Sequence, residues 1–175
     1  MKKFPAWLVP CGALVVSATW LAAPAQAASA RAELKDAKGA RVGEVALLDT
    51  PDGVKVTATF TDLPPGEHAF HVHAVGKCEP PFTSADGHFN PTGKRHGRDN
   101  PQGPHLGDMP NITVSQERRG AFEIVLRGAS LDGSANGLLD ADGASLVVHE
   151  GPDDYQSDPA GNAGPPIACG VITAR

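Results

Sequence analysis

Six of the chain's seven histidines, His68, His71, His73, His88, His96 and His105, fall between positions 68 and 105. The seventh, His149, closes the apolar run Leu146-Val147-Val148. Neutral imidazole is the commonest protein ligand for zinc and copper, so this crowding points to metal chemistry rather than to packing. His71 and His73 lie two apart in a strand-like run, which puts both side chains on one face and lets them converge on one ion. His88, His96, His105 and Asp108 are spread among glycines and prolines. Three imidazoles and one carboxylate make a four-coordinate set suited to tetrahedral zinc, closed and therefore structural. Such an ion would order a segment whose composition offers no regular structure of its own. His149 has no metal-type partner near it in sequence and must find one in space. The chain has no G-x-S-x-G elbow, no P-loop and no dinucleotide fingerprint, so nothing calls for a nucleophile, a nucleotide or an organic cofactor.

Strands must position these residues, and the flanking pattern supplies them. Arg41 to Leu47 and Val54 to Phe60 alternate in character and are rich in β-branched residues. Asp49-Thr50-Pro51-Asp52-Gly53 between them is turn chemistry. Similar runs occur at Ala30 to Lys35, Glu67 to His73, Asn111 to Ser115, Ala121 to Leu126, Ser145 to His149 and Gly170 to Thr173. That gives eight candidate strands and no convincing helix, hence an all-β antiparallel sandwich or barrel. Two connections, Ala74 to Pro110 and Glu150 to Pro166, are too long for hairpins. Both hold or border the metal-type residues, as functional loops do.

The N-terminus reads as an export signal. Lys2 and Lys3 precede an apolar stretch from Phe4 to Ala23, and Ala25-Gln26-Ala27 is a small-x-small cleavage pattern. Pro5 and Pro10 interrupt the stretch, and Cys11 is poorly placed for lipid attachment. Residues 1–27 are expected to be removed, leaving 148 of the 175 residues, 28–175, as one domain. Taking Lys2 and Lys3 from the 15 basic residues leaves 13 against 20 acidic, a net charge of −7 in place of −5. An acidic domain has no electrostatic reason to hold nucleic acid or an anionic membrane. Cys78 and Cys169 remain in an oxidising compartment, periplasmic or secreted, where a disulfide is the default. It would close a loop of about 91 residues, worth roughly 4 to 5 kcal/mol in the loop-entropy picture. Asn111-Ile112-Thr113 is a glycosylation sequon, but the signal looks bacterial and the match is only three residues long.

Glu67 to His73, Gly87-His88-Phe89-Asn90-Pro91, His105-Leu106-Gly107-Asp108, Leu146 to Glu150, Gly161 to Gly164 and Ala168 to Ile172 resemble, in order, the signature segments of copper/zinc superoxide dismutases. The short His73–Cys78 spacing and the export signal resemble bacterial, exported members, whereas Gly87-His88-Phe89-Asn90-Pro91 is similar to the animal and plant pattern. The resemblance spans the whole expected domain. It implies an eight-stranded Greek-key β-barrel, in agreement with the strand count. It further implies copper held by His71, His73, His88 and His149, and zinc by His88, His96, His105 and Asp108. The imidazolate of His88 would bridge the two metals and give up a proton in turnover. Asp153 matches an aspartate that joins a copper histidine to a zinc histidine, and such outer partners fix ring orientation. Cys78 and Cys169 match the family disulfide; His68 matches a histidine that is structural and not a ligand. The implied reaction turns superoxide into dioxygen and hydrogen peroxide.

Two departures stand out. The family carries an arginine three residues before its second disulfide cysteine, and Pro166 occupies that place here. A guanidinium is always charged and directional, whereas proline offers neither charge nor donor. Lys94, Arg95 and Arg98 are the basic residues nearest in sequence to the zinc ligands that could take over anion guidance. The alternative reading is therefore an exported copper/zinc binding or buffering module with little turnover. Only four residues separate His73 from Cys78, and Asp142 and Ala174 fall where the animal dimer presents large apolar side chains. An aspartate in a self-complementary contact meets like charge and desolvation cost, which leaves a monomer or a homodimer of non-animal type.

Overall fold

The computed structural model describes residues 27–175; the expected signal peptide, but for its last residue, lies outside them. Ten strands follow in order: β1 Ser29–Asp36, β2 Arg41–Thr50, β3 Gly53–Thr61, β4 Gly66–His68, β5 Phe70–His73, β6 Ile112–Val114, β7 Arg119–Leu126, β8 Ser145–His149, β9 Pro166–Val171 and β10 Thr173–Ala174. The only helical element among the described residues is a single 3₁₀ turn, Thr83–Ala85. No described helix is long and apolar enough to cross a membrane.

All strand pairs are antiparallel, and the main sheet runs β5-β8-β9-β1-β2-β3-β7, with β10 extending the partnership of β1. A second ribbon pairs β4 with β6. The ribbon and sheet are joined at both ends, because β4 leads directly into β5 and β6 turns into β7 through Ser115 N–H to Arg119 O at 2.8 Å. The curled sheet therefore wraps one core as a Greek-key barrel.

Alternation decides which side faces in. Ala30, Ala32 and Leu34 of β1, and Val54, Val56, Ala58 and Phe60 of β3, are buried while the residues between them are exposed or half-buried. Phe70 anchors the centre, with Phe60 at 5.3 Å and Phe122 at 5.6 Å, both edge to face. β8 is buried at all five positions. Leu146 and Val148 enter the barrel core, whereas Val147 packs outward against Phe82, Ala85 and Cys169. The Cys78–Cys169 disulfide, Cα to Cα 5.6 Å, holds that outer layer in place.

The expected run Glu67 to His73 is two strands, not one. At Ala69 the chain leaves the β4–β6 ribbon for the main sheet, and Ala69 bonds instead to Gly151 O (2.8 Å) and from His149 N–H (3.0 Å). The last expected strand begins earlier, at Pro166, and is interrupted at Ile172, whose N–H donates to Ala144 O at 3.0 Å. A third long connection, residues 127–144, escaped the sequence reading. It buries Leu131 and Leu138 against the barrel core.

Candidate metal centre

β5 is the platform. Phe70 and Val72 face the core, so His71 and His73 face outward, under the two long loops. Segments of the residue 74–111 loop return along β5: Phe89 N–H donates to Val72 O (2.8 Å), Val72 N–H to Gly107 O (3.0 Å) and Gly107 N–H to Phe89 O (2.9 Å). This backbone knot brings His88 opposite His73 and Asp108 opposite His71. His149 arrives at the end of β8, the neighbour of β5.

The ring nitrogens sort themselves into two sets. His71 donates from Nε2 to Asp153 Oδ2 (2.9 Å), His73 from Nδ1 to Asp86 O (2.6 Å) and His149 from Nδ1 to Gly164 O (2.9 Å). Their opposite nitrogens converge with His88 Nε2, and the four ligand atoms lie within 4.8 Å of one another. His71 Nδ1 and His88 Nε2 are buried with no hydrogen-bond partner. Native proteins seldom leave such atoms orphaned unless an ion or water belongs there. The second set, His88, His96, His105 and Asp108, is equally tight. Nδ1 of His88 and of His96 donates to Asp108 Oδ1 at 2.8 and 3.1 Å, whereas Nδ1 of His105, 3.3 Å from the same oxygen, is buried without a hydrogen-bond partner. The other oxygen of Asp108 accepts the backbone N–H groups of Gly97 (2.9 Å) and His105 (3.0 Å). His88 belongs to both sets, one nitrogen in each.

Burial opposes charge on Asp108, but the imidazoles of His105, His88 and His96 and the Gly97 amide hold its carboxyl far below the usual range. Asp153, 4 % exposed, is also held low against its burial by His71 and His96. Burial pushes two rings of the first set down, His71 to about 4 and His73 to about 3, so both are neutral at neutral pH. His96 goes the other way: burial lowers it, yet carboxylates at both nitrogens lift it to about 9.

Asp153 Oδ1 accepts His96 Nε2 at 2.9 Å while Oδ2 takes His71, so one carboxylate spans the two sets. Gly161 makes room for it: at φ +65° a Cβ there would overlap the Asp153 carboxylate and come within 2.7 Å of His96 Nε2. His68 stands apart, its ring nitrogens against Pro64 O (2.8 Å) and His149 O (2.9 Å), where it ties β4 to the end of β8.

Sequence reasoning missed the carbonyls of Asp86 and Gly164, which carry no side-chain signature. It also missed the role of Asn111, read as the start of a strand and of a sequon; its amide donates to Asp153 O at 3.0 Å and is committed inside the fold. Pro166 opens β9 opposite His149, where the register shifts. The residue 150–165 loop beside it contains no lysine or arginine. Arg95 faces Asp158 at 3.6 Å, and Arg98 faces Asp99 at 3.8 Å. Asp142 and Ala174 are both exposed.

The comparisons agree with this geometry. The copper/zinc superoxide dismutase family model matches residues 41–172. A superoxide dismutase [Cu-Zn] of Aquifex aeolicus is 47% identical over 151 residues, covering 85% of this chain and 89% of its own. That of Escherichia coli K12 is 35% identical over 190 residues, covering 98% and 99%. The crystal structure of a superoxide dismutase-like protein from Bacillus subtilis superposes with a TM-score of 0.78 at 35% identity, over 82% of this chain and 97% of that one. With a family match from β2 to Ile172 that takes in both long loops, and two histidine-rich donor sets sharing one ring, the chain belongs to the copper/zinc superoxide dismutase family.

Proposed function

We propose that this chain disproportionates superoxide to dioxygen and hydrogen peroxide, with copper at His71, His73, His88 and His149 and zinc at His88, His96, His105 and Asp108. The observation that carries the reading is the sharing of His88 between two four-residue donor sets. When bound, copper supplies reversible one-electron chemistry, and zinc, which has none, holds His88 and closes its loop.

The protein's own groups do the rest. His88, held through Nδ1 on the zinc side, can carry a proton on Nε2 and deliver it to reduced oxygen. Asp86 O and Gly164 O fix His73 and His149 as Nδ1–H tautomers, so that Nε2 presents a lone pair inward. Asp153 orients a ring of each set. The disulfide and the signal-like N-terminus support an exported, periplasmic or secreted protein. Exposed Asp142 and Ala174 support a monomer, or a dimer of non-animal type.

The second reading, a metal buffer with little turnover, is favoured by Pro166 and by the pairing of Arg95 and Arg98 with acids. A superoxide-decay assay on copper- and zinc-loaded protein, beside the metal-free form, separates the two. A dismutase consumes superoxide in large excess over its copper; a buffer does not.

A further inference from the structure

Tyr155 is the chain's one tyrosine. It lies outside both donor sets yet touches the elements that carry them. Its carbonyl accepts the Asp99 N–H at 3.1 Å, and its ring lies 3.9 Å from the Arg98 guanidinium, both just after His96. Gly97 packs so close that a Cβ there would overlap the Tyr155 carbonyl. On the barrel side, the Tyr155 hydroxyl accepts the backbone N–H of Asn111 at 2.9 Å. Asn111 in turn grips the peptide groups of Asp153: Nδ2 donates to Asp153 O (3.0 Å) and Oδ1 accepts Asp153 N–H (2.8 Å). The Tyr155 N–H donates to Asp153 Oδ1 at 2.7 Å. Tyr155 itself sits at φ 63°, a conformation that persists only where its surroundings impose it.

We propose that Tyr155 is a positioning residue: with Asn111 and Arg98 it fixes the Asp153 carboxylate between His71 and His96, and so sets the affinity of the paired site for zinc. The proposal rests on the copper/zinc reading of the donor sets. A carboxylate that bonds a ring on each side tolerates little rotation, and its direction is set by the backbone at residue 153. One side chain, Asn111, satisfies both peptide groups of Asp153, and Tyr155 ties Asn111 to the zinc loop. The bonds converge on Asp153, so their contribution to zinc binding runs through that carboxylate and should disappear without it.

The test is the zinc dissociation constant of the full chain, measured by competition with a chromogenic chelator. The variants are Asn111→Ala, Tyr155→Phe, Asp153→Asn, and each of the first two combined with Asp153→Asn. Asp153→Asn should weaken zinc about 10- to 100-fold and Asn111→Ala about 10-fold, the scale of lost outer partners. Tyr155→Phe loses one hydrogen bond, worth about 3- to 10-fold. The double variants should bind zinc no more weakly than Asp153→Asn alone. Losses that multiply in the doubles overturn the proposal. So do single variants that melt lower without metal yet bind zinc like the wild type. Tyr155→Phe removes one oxygen from a half-exposed residue, so it keeps the test standing if Asn111→Ala does not fold. Zinc affinity is read without superoxide, so a chain that fails as a dismutase can still pass. A wild type that binds no zinc defeats both readings.

Discussion

His88 is the residue on which the two donor sets depend together, and its neighbours divide between them. Replacing His88 with alanine should lower both copper and zinc retention, whereas His149→Ala should lose copper and keep zinc. Metal analysis of the purified variants checks this, and equal zinc loss in the two counts against a shared ring. His96 gives a pH dependence. In the metal-free chain burial lowers the pKa of this ring, yet the Asp108 and Asp153 carboxylates lift it to about 9, so that near neutrality the ring is cationic and zinc must displace a proton. Zinc affinity should therefore rise about tenfold per unit from pH 7 to about 9, then level off; calorimetry in buffers of different ionisation enthalpy would count the proton. For folding of the metal-free chain the signs differ. His96, raised from 6.5, contributes stability below that value and loses it as pH rises through about 9. His71 and His73, lowered from 6.5, lose theirs as pH falls toward about 4 and 3. The two sets that gather in space were legible because metal coordination demands particular side chains. The groups that aim them, Asp86 O, Gly164 O and Asn111, were not, because any residue carries a carbonyl and an asparagine suits many loops.

At the scale of elements, β5 and β8 offer rigid histidines, and two long loops must be held against them. The loops are held by the disulfide, by the backbone knot of Val72, Phe89 and Gly107, and by Asp108 and Asp153 among the imidazoles. Constraining a loop of 91 residues is worth roughly 4 to 5 kcal/mol, and metal binding adds to folding directly. Reduction and chelation together should therefore lower the melting temperature far more than either alone. Calorimetry of the four combinations checks it; a melting temperature unmoved by either would mean that the core alone carries the stability. Alternation revealed β1, β2 and β3, where one face is wet. It could not reveal the break at Ala69, since the switch between ribbon and sheet is made by partners at Gly151 and His149, far off in sequence. The residue 127–144 connection was missed for a similar reason: Leu131 and Leu138 are buried by the barrel end, not by a periodic pattern of their own.

The whole molecule carries a net charge of −5, unhelpful to an anionic substrate, and Pro166 adds no local cation. Pro166→Arg should speed the reaction with superoxide at low salt, by about 10-fold or more, with metal content unchanged. The gain should shrink as salt is raised, because the Debye length is about 10 Å at 0.1 M. Stopped-flow rates over a salt series check this, and a rate indifferent to the substitution would mean that guidance comes from elsewhere. The barrel, the disulfide and the donor sets together make one claim that a single experiment addresses most directly. Superoxide decay should be followed, with product oxygen and peroxide, on the copper- and zinc-loaded chain at superoxide in large excess over copper. Catalytic disproportionation predicts consumption continuing through many turnovers, with one dioxygen and one hydrogen peroxide for every two superoxide ions, and none of this enhancement in the metal-free chain. Consumption that stops after one electron per copper would contradict it and leave a metal-binding module.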